Sequence, residues 1–314
     1  KKEKIKMGQK VDARIFRLGV GKKNWELKHI EKNNEESSLY LYKTLEIQKY
    51  LNRFFSLYKV KIHNCKIFYS NNSLQLFISF YITEKTIYII NKNLTKYQKK
   101  LSIRFKRPCI QKKNKKSILS YKPNLKQTMM LQEFQDILLE SLTIYTKGKV
   151  NIFVTMQNLN NQKNLSYNRI KNWKTIFKQL KKFVRNSFFK EAINILFVNI
   201  TKRKSAKLLA EFISDQFKIN QLKTDQMAIS RKDNYFLGFL KQTIKLLINA
   251  EVSGLTGIKI VIKGRFNRAP RAKSVTIQFG KFSLQSFDSK IDYFQSTAYT
   301  INGTFGVKVW MREN

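Results

Sequence analysis

The chain has 314 residues, enough for two domains and a substantial buried core, and sets 62 Lys and Arg against 20 Asp and Glu for a formal net charge of +42. A free globular protein with that imbalance repels itself, so a polyanion is the expected neighbour: nucleic acid first, because each neutralised phosphate releases counterions, and an anionic membrane surface second. A hydrophobic fraction of 42%, with 24 Phe and 14 Tyr, excludes a disordered basic tail, and no run of eighteen apolar residues offers a membrane-spanning helix.

In chain order, "KKEKIKMGQK" opens a basic N-terminal stretch, 1–38, with no apolar core of the kind a secretory signal needs. Residues 39–58, "LYLYKTLEIQKYLNRFFSLY", place Leu and aromatic side chains three and four apart, which predicts an amphipathic helix. Two β-rich runs joined by Asn71 and Asn72 follow and predict a hairpin, since Asn tolerates the left-handed backbone of tight turns. From Lys85 to Gln132 there are fourteen Lys or Arg and no acid, including "RFKRPCIQKKNKK". A helical period resumes over 129–145, Gly148 is placed to end it, and 149–156 reads as a strand. A second basic stretch, 160–204, has Glu191 as its single acid and carries Trp173, Ile176, Phe177, Leu180, Phe183 and Val184 on one helical face within 172–197. Helices are expected at 205–218 and 233–251, and strands at 257–264, 274–287 and 305–311. Helix and hairpin first, helices next, antiparallel strands last: the order argues for an α+β protein and against a parallel βαβ array.

Enzyme chemistry finds little support. Metal-dependent cleavage of nucleic acid needs clustered carboxylates, and here the acids are scattered, the tightest group being "EKNNEE" in a polar loop. His29 and His63 have no partners at ligand spacing, Cys65 and Cys109 read as idle thiols, and "GKKNW" lacks the glycine and Ser or Thr of a phosphate loop. Neither a cofactor nor a metal is expected. What remains is binding, in which Lys and Arg position phosphates while aromatic rings stack bases or fill a core. A compact run of charge follows the strand at 257–264: in "GRFNRAPRAK" Arg265, Arg268, Arg271 and Lys273 fall within nine residues with no acid.

That stretch also carries a resemblance. Residues 254–310, with Gly257, Lys259, Gly264, Arg265, Arg271, Ala272, Gly280, Asp292, Tyr293, Gly303, Gly306, Lys308 and Trp310 in register, resemble the C-terminal domain of the family of small-subunit ribosomal protein number three. "MGQKVDARIFRLG" (7–19) resembles the family's opening, with Ala13 where proline is usual. The resemblance implies an N-terminal KH-like (type II) domain over 39–158 with a basic insertion at about 97–126, a basic helical linker at 159–204, and a C-terminal α+β domain at 205–314 whose antiparallel sheet packs on helices. It further implies a structural role in the head of the small ribosomal subunit, near where messenger RNA enters, with small-subunit rRNA, messenger RNA and neighbouring head proteins as partners, no membrane and no homo-oligomer. A free organellar RNA-binding or intron-processing factor is the alternative. The Lys-, Asn- and Ile-rich composition of A/T-rich coding, with apparent extra length over 157–200, favours a mitochondrial ribosome over a plastid one.

Two departures stand out. No glycine occurs between Gly21 and Gly148, so the Gly-x-x-Gly loop with which a KH domain clamps a nucleic-acid backbone is missing. In "NYFLGFLKQTIK", Leu237 and Gly238 stand where bacterial relatives carry arginines, and Lys241 alone keeps its charge. RNA contacts are expected from Lys10, Arg14, Arg17, Lys22 and Lys23 near the start; from Arg104, Lys106, Arg107, Lys112, Lys113, Lys115 and Lys116 in the basic block; from Arg231, Lys232 and Lys241 around the 233–251 helix; and from Lys259, Lys263, Arg265, Arg268, Arg271, Lys273 and Lys308 in the C-terminal strands.

Overall fold

A helix with apolar residues three and four apart must lay one stripe against something. In the computed structural model Glu36–Leu57 (α1) does so, burying Ile47, Leu51, Phe54 and Phe55. The structure describes residues 11–17, 27–31, 33–70, 72–83, 86, 135–160, 174–186, 188–200, 205–223, 235–249, 254–266 and 269–313. They fall into two compact units: a continuous one, Trp25–Asn161, and a discontinuous one in which Lys1–Asn24 joins Gln162–Asn314.

The continuous unit is built on strands Leu27–Lys28 (β1), Lys61–Tyr69 (β2), Ser73–Tyr81 (β3) and Asn151–Asn158 (β4), hydrogen-bonded in the order β1-β2-β3-β4. The expected hairpin is present, with β2 and β3 antiparallel from Lys61↔Tyr81 to Tyr69↔Leu74. β4 runs parallel to β3, and β1, too short to show a period in the sequence, runs parallel to β2, so the sheet is mixed. Residues 135–145 form a helix (α2) that buries Leu138 and Leu142. It ends as expected at Gly148: Lys147 at φ +52 turns the chain so that the Gly148 amide, itself at φ +68, donates to the Thr143 carbonyl at 3.1 Å. α1 ends by the same device, again with a lysine: Lys59 holds φ +58 so that the Val60 amide reaches the Phe55 carbonyl at 3.0 Å. One face of the sheet, with Ile62, Ile67, Leu74, Leu76, Ile78, Phe80 and Val154, closes a single core with both helices.

In the discontinuous unit, residues 174–179 (α3), Phe189–Ile200 (α4), Ala206–Lys223 (α5) and Tyr235–Asn249 (α6) precede strands Leu255–Gly264 (β5), Lys273–Gly280 (β6), Ile291–Thr300 (β7) and Gly303–Glu313 (β8). The sheet order is β6-β5-β8-β7, antiparallel throughout. Two expectations need correcting. The single helix expected across 172–197 is broken by a tight turn at Lys181–Phe183 and bends through 184–186. Phe183, Phe188 and Phe189 all pack on the Phe239 ring, at 5.3, 5.2 and 5.9 Å, and positions five and six apart fall on different faces of a straight helix. The strand expected over 274–287 stops at Gly280, whose φ of +78 turns the chain, and β7 begins after a loop.

One face of this sheet is the core. Ile258, Ile260, Ile262, Ile277, Ala298, Phe305, Val307, Val309 and Met311 are buried on it. Helix α5 covers β7 and β8, and α6 covers β5 and β6. The first amides of α5 find acceptors at once: Ala206 N donates to Asp292 Oδ2 on β7 (2.8 Å) and Leu208 N to Ser205 Oγ (3.3 Å).

Candidate nucleic-acid interface

The alternation that buries Ile258, Ile260 and Ile262 sends Lys259, Val261 and Lys263 to the opposite face. Register fixes their neighbours. Lys259 lies between Gln278 and Trp310, Val261 between Thr276 and Lys308, and Lys263 between Ser274 and Gly306; β7 adds Tyr293, Gln295 and Thr297 to the three rows. Lys259, Lys308 and Lys263 therefore zigzag down the middle of the sheet as diagonal neighbours, and none of these twelve positions is acidic. Like charges that close are unfavourable unless an anion lies over them.

The face is not open along its whole length. At one end Ala13 packs with Ile291, Tyr293 and Trp310, against Val261, Phe282 and Leu284. Trp310 is 5% exposed, and Lys259 Nζ sits 5.9 Å above its ring. Arg17 pins this cover. Its guanidinium donates to the carbonyls of Ala13 (2.7 Å), Leu284 (2.8 Å) and Ser286 (2.9 Å), and it is 6% exposed. Desolvation lowers its pKa, yet a guanidinium stays charged at any working pH. Arg17 is thus turned inward, and Arg14, which pairs with Asp12 at 2.9 Å, is the outward cation of the described N-terminal segment.

At the other end the basic turn is anchored rather than loose. Phe266 sits against Phe305 (5.4 Å) and Phe217 (6.1 Å), which stack on each other at 4.9 Å. Gly264 makes this possible, because a Cβ there would overlap the Phe305 ring. Arg265, Arg271 and Lys273 are exposed beside this aromatic knot, and Arg265 Nε donates to the Ala269 carbonyl at 2.8 Å. Charge counting alone misses Phe266; its signal is an aromatic residue two positions after a strand that ends at Gly264. On α6, Lys241 and Lys245 are exposed one turn apart, Gly238 faces open space and Leu237 is half-buried.

Lys10, Lys22, Lys23, Arg104, Lys106, Arg107, Lys112, Lys113, Lys115, Lys116, Arg231, Lys232 and Arg268, with the whole of 97–126, lie outside the described residues. Among the described residues no group of three or more His, Cys, Asp or Glu is placed to hold a metal ion, and no helix is long and apolar enough to cross a membrane.

Helix α6 and strands β5 to β8 are the part that a known family matches. Residues 235–311 match the family described as ribosomal protein S3, C-terminal domain. The small ribosomal subunit protein uS3c of Euglena longa is 27% identical over 189 residues, which span 59% of this chain and 81% of that protein. The uS3 of Dictyoglomus turgidum is 30% identical over 129 residues (41% and 47%), and the uS3c of Cyanidium caldarium 35% over 134 (42% and 57%), so the chain spans about half the length of these two. The helix-backed antiparallel sheet with its basic turn thus coincides with the residues that match the C-terminal domain of the ribosomal protein S3 class. Over a larger part of its length the chain is similar, at 27–35% identity, to uS3 and uS3c proteins.

Proposed function

We propose that the protein is a structural constituent of the small subunit of an organellar ribosome and that it holds small-subunit rRNA on the outer face and basic turn of its C-terminal sheet. The observation that carries this is the coincidence, within 235–311, of the family match and an acid-free face leading to an anchored cationic turn. Arg265 and Arg271 suit phosphate because a planar fork can contact it bidentately, while Lys259, Lys263, Lys273 and Lys308 supply point charges. Lys241 on α6, with Arg231 and Lys232 before it, is the proposed approach to messenger RNA. The relatives' names, small ribosomal subunit protein uS3 and uS3c, support the ribosomal assignment.

The continuous unit is proposed to be KH-like. Its order of helix, antiparallel hairpin, helix and a strand parallel to β3 supports that reading. Without glycines for a backbone clamp, the basic block at 97–126 is proposed to reach rRNA or a neighbouring head protein through lysines. A mitochondrial ribosome is preferred to a plastid one on composition.

The test is sucrose-gradient sedimentation of purified mitochondria and, separately, plastids at moderate and high salt, following the chain by mass spectrometry beside small-subunit RNA. Stoichiometric comigration that survives high salt is expected, and the organelle in which it occurs decides the compartment. Release at modest salt, or migration as a free protein, would instead favour a free RNA-binding or intron-processing factor.

A further inference from the structure

The second face of the continuous unit's sheet is of a different kind. Register sets Lys28, Phe68, Gln75 and Phe153 in one row across β1 to β4 and Lys66, Phe77 and Thr155 in the next. All point away from the core, and neither row contains an acid. Phe153 is 57% exposed, Phe68 and Phe77 are half-buried, and Lys28 Nζ lies 5.8 Å from the centre of the Phe68 ring. Phe77 is a diagonal neighbour of both other rings, which places it roughly 7–8 Å from each. Further along the same face Ser79 and Tyr81 are buried, so the open area ends there on that side.

A phenylalanine half out of a sheet face has nothing to gain from water, and three of them on adjacent strands are more than scattered surface apolar residues. Ring faces on a sheet flanked by cations suit unpaired bases, because every base offers a π-face and its backbone supplies the anion. We propose that Phe68, Phe77 and Phe153 form a stacking platform for single-stranded RNA, with Lys28 and Lys66 holding the backbone that passes over it. Charge favours RNA over an apolar protein partner: Lys28 and Lys66 are the only ionisable side chains in the two rows, and a hydrophobic helix laid over the rings would desolvate both without offering either an anion. The platform needs no glycine, so it offers the continuous unit a grip on nucleic acid that survives loss of the Gly-x-x-Gly loop. It does not rest on ribosome membership.

The experiment uses the full chain and a fluorescein-labelled, unstructured RNA dodecamer, titrated by anisotropy at about 0.1 and about 0.5 M KCl, which bracket weak and strong screening of charge. The triple variant Phe68→Leu, Phe77→Leu, Phe153→Leu keeps the face apolar and removes the rings. About tenfold or more weaker binding at the higher salt, with the slope of log affinity against log salt unchanged, is expected. Affinity within about twofold of the parent overturns the platform. Photocrosslinking of the parent chain to the same RNA carrying 5-bromouridine decides independently of how the variant folds: adducts on β2, β3 or β4 are expected, and adducts confined to β5, β6 or β8, or none on the continuous unit, overturn the proposal. An RNA-free platform leaves the ribosomal reading standing, and failure to comigrate with the small subunit leaves the platform standing.

Discussion

Each unit presents a four-stranded sheet with one face sealed by helices, and the two sheets differ in what their second faces offer. On the discontinuous unit, lysines occupy the centre, the N-terminal segment closes one end and arginines crowd the other. On the continuous unit, rings run across β2, β3 and β4, with Lys28 on the edge strand β1 and Lys66 beside Phe77. Charge in the middle binds phosphate wherever it runs and weakens steeply with salt, whereas rings in the middle require a base and weaken little. One chain thus carries a surface proposed for folded RNA and a surface proposed for unpaired RNA, and the difference is set by which residue types the alternation sends outward.

The sharpest way to separate the units is to damage each core and watch the other. Leu76→Ala, at 1% exposure in the continuous core, is expected to cost about 3 kcal/mol and to raise hydrogen exchange in β2, β3 and β4. Exchange in β5 to β8 should stay as it was; a matching rise there would mean that the two units unfold as one. Gly264→Val forces Phe305 out of its stack, costs about 3 kcal/mol of the discontinuous unit and loosens the turn that carries Arg265 and Arg271, with the reverse pattern of exchange. Arg17→Ala strands three carbonyls and frees the N-terminal cover, for a loss of about 2 kcal/mol, read by denaturant titration followed through tryptophan fluorescence. Neutralising Arg265 and Arg271 to Gln should weaken RNA binding several-fold and flatten the salt slope by roughly 0.7 for each phosphate no longer neutralised, while the melting temperature barely moves. A large drop in melting temperature would make those arginines structural. Least of all, Lys59→Gly should stabilise the continuous unit by about 0.5–1 kcal/mol in the same denaturant titration, since glycine holds φ +58 without the strain a side chain adds there.

What is legible in the sequence follows from periodicity. α1, the Asn-linked hairpin, the stop at Gly148 and β5 all announce themselves through local pattern, and local pattern is what decides them. The broken helix near Phe183 and Phe188 is decided by a distant ring, Phe239, which lies some fifty residues along the chain. β7 is hard to read because its polar positions are largely Gln, Ser and Thr, so its alternation shows little contrast in charge. The basic turn is legible as charge, but its anchoring by Phe266 depends on Phe217 and Phe305, respectively about fifty and forty residues away. Arg17 is the plainest case: as a letter it resembles Arg14, and only a partner loop far along the chain makes one a buried clasp and the other a surface cation.

The clasp also sets an order in time. Arg17 and the Leu284 carbonyl it holds are 267 residues apart. At translation rates of roughly 5–20 residues per second, a ribosome needs on the order of 13–53 s between making the one and making the other. The continuous unit is complete long before that and can fold as it emerges, while residues 11–17 wait without a berth until the loop before β7 has been made. The cover over Trp310 is therefore among the last pieces to settle, and a nascent chain halted before residue 284 would carry its N-terminal segment free, open to a chaperone or a protease that the finished protein would shut out.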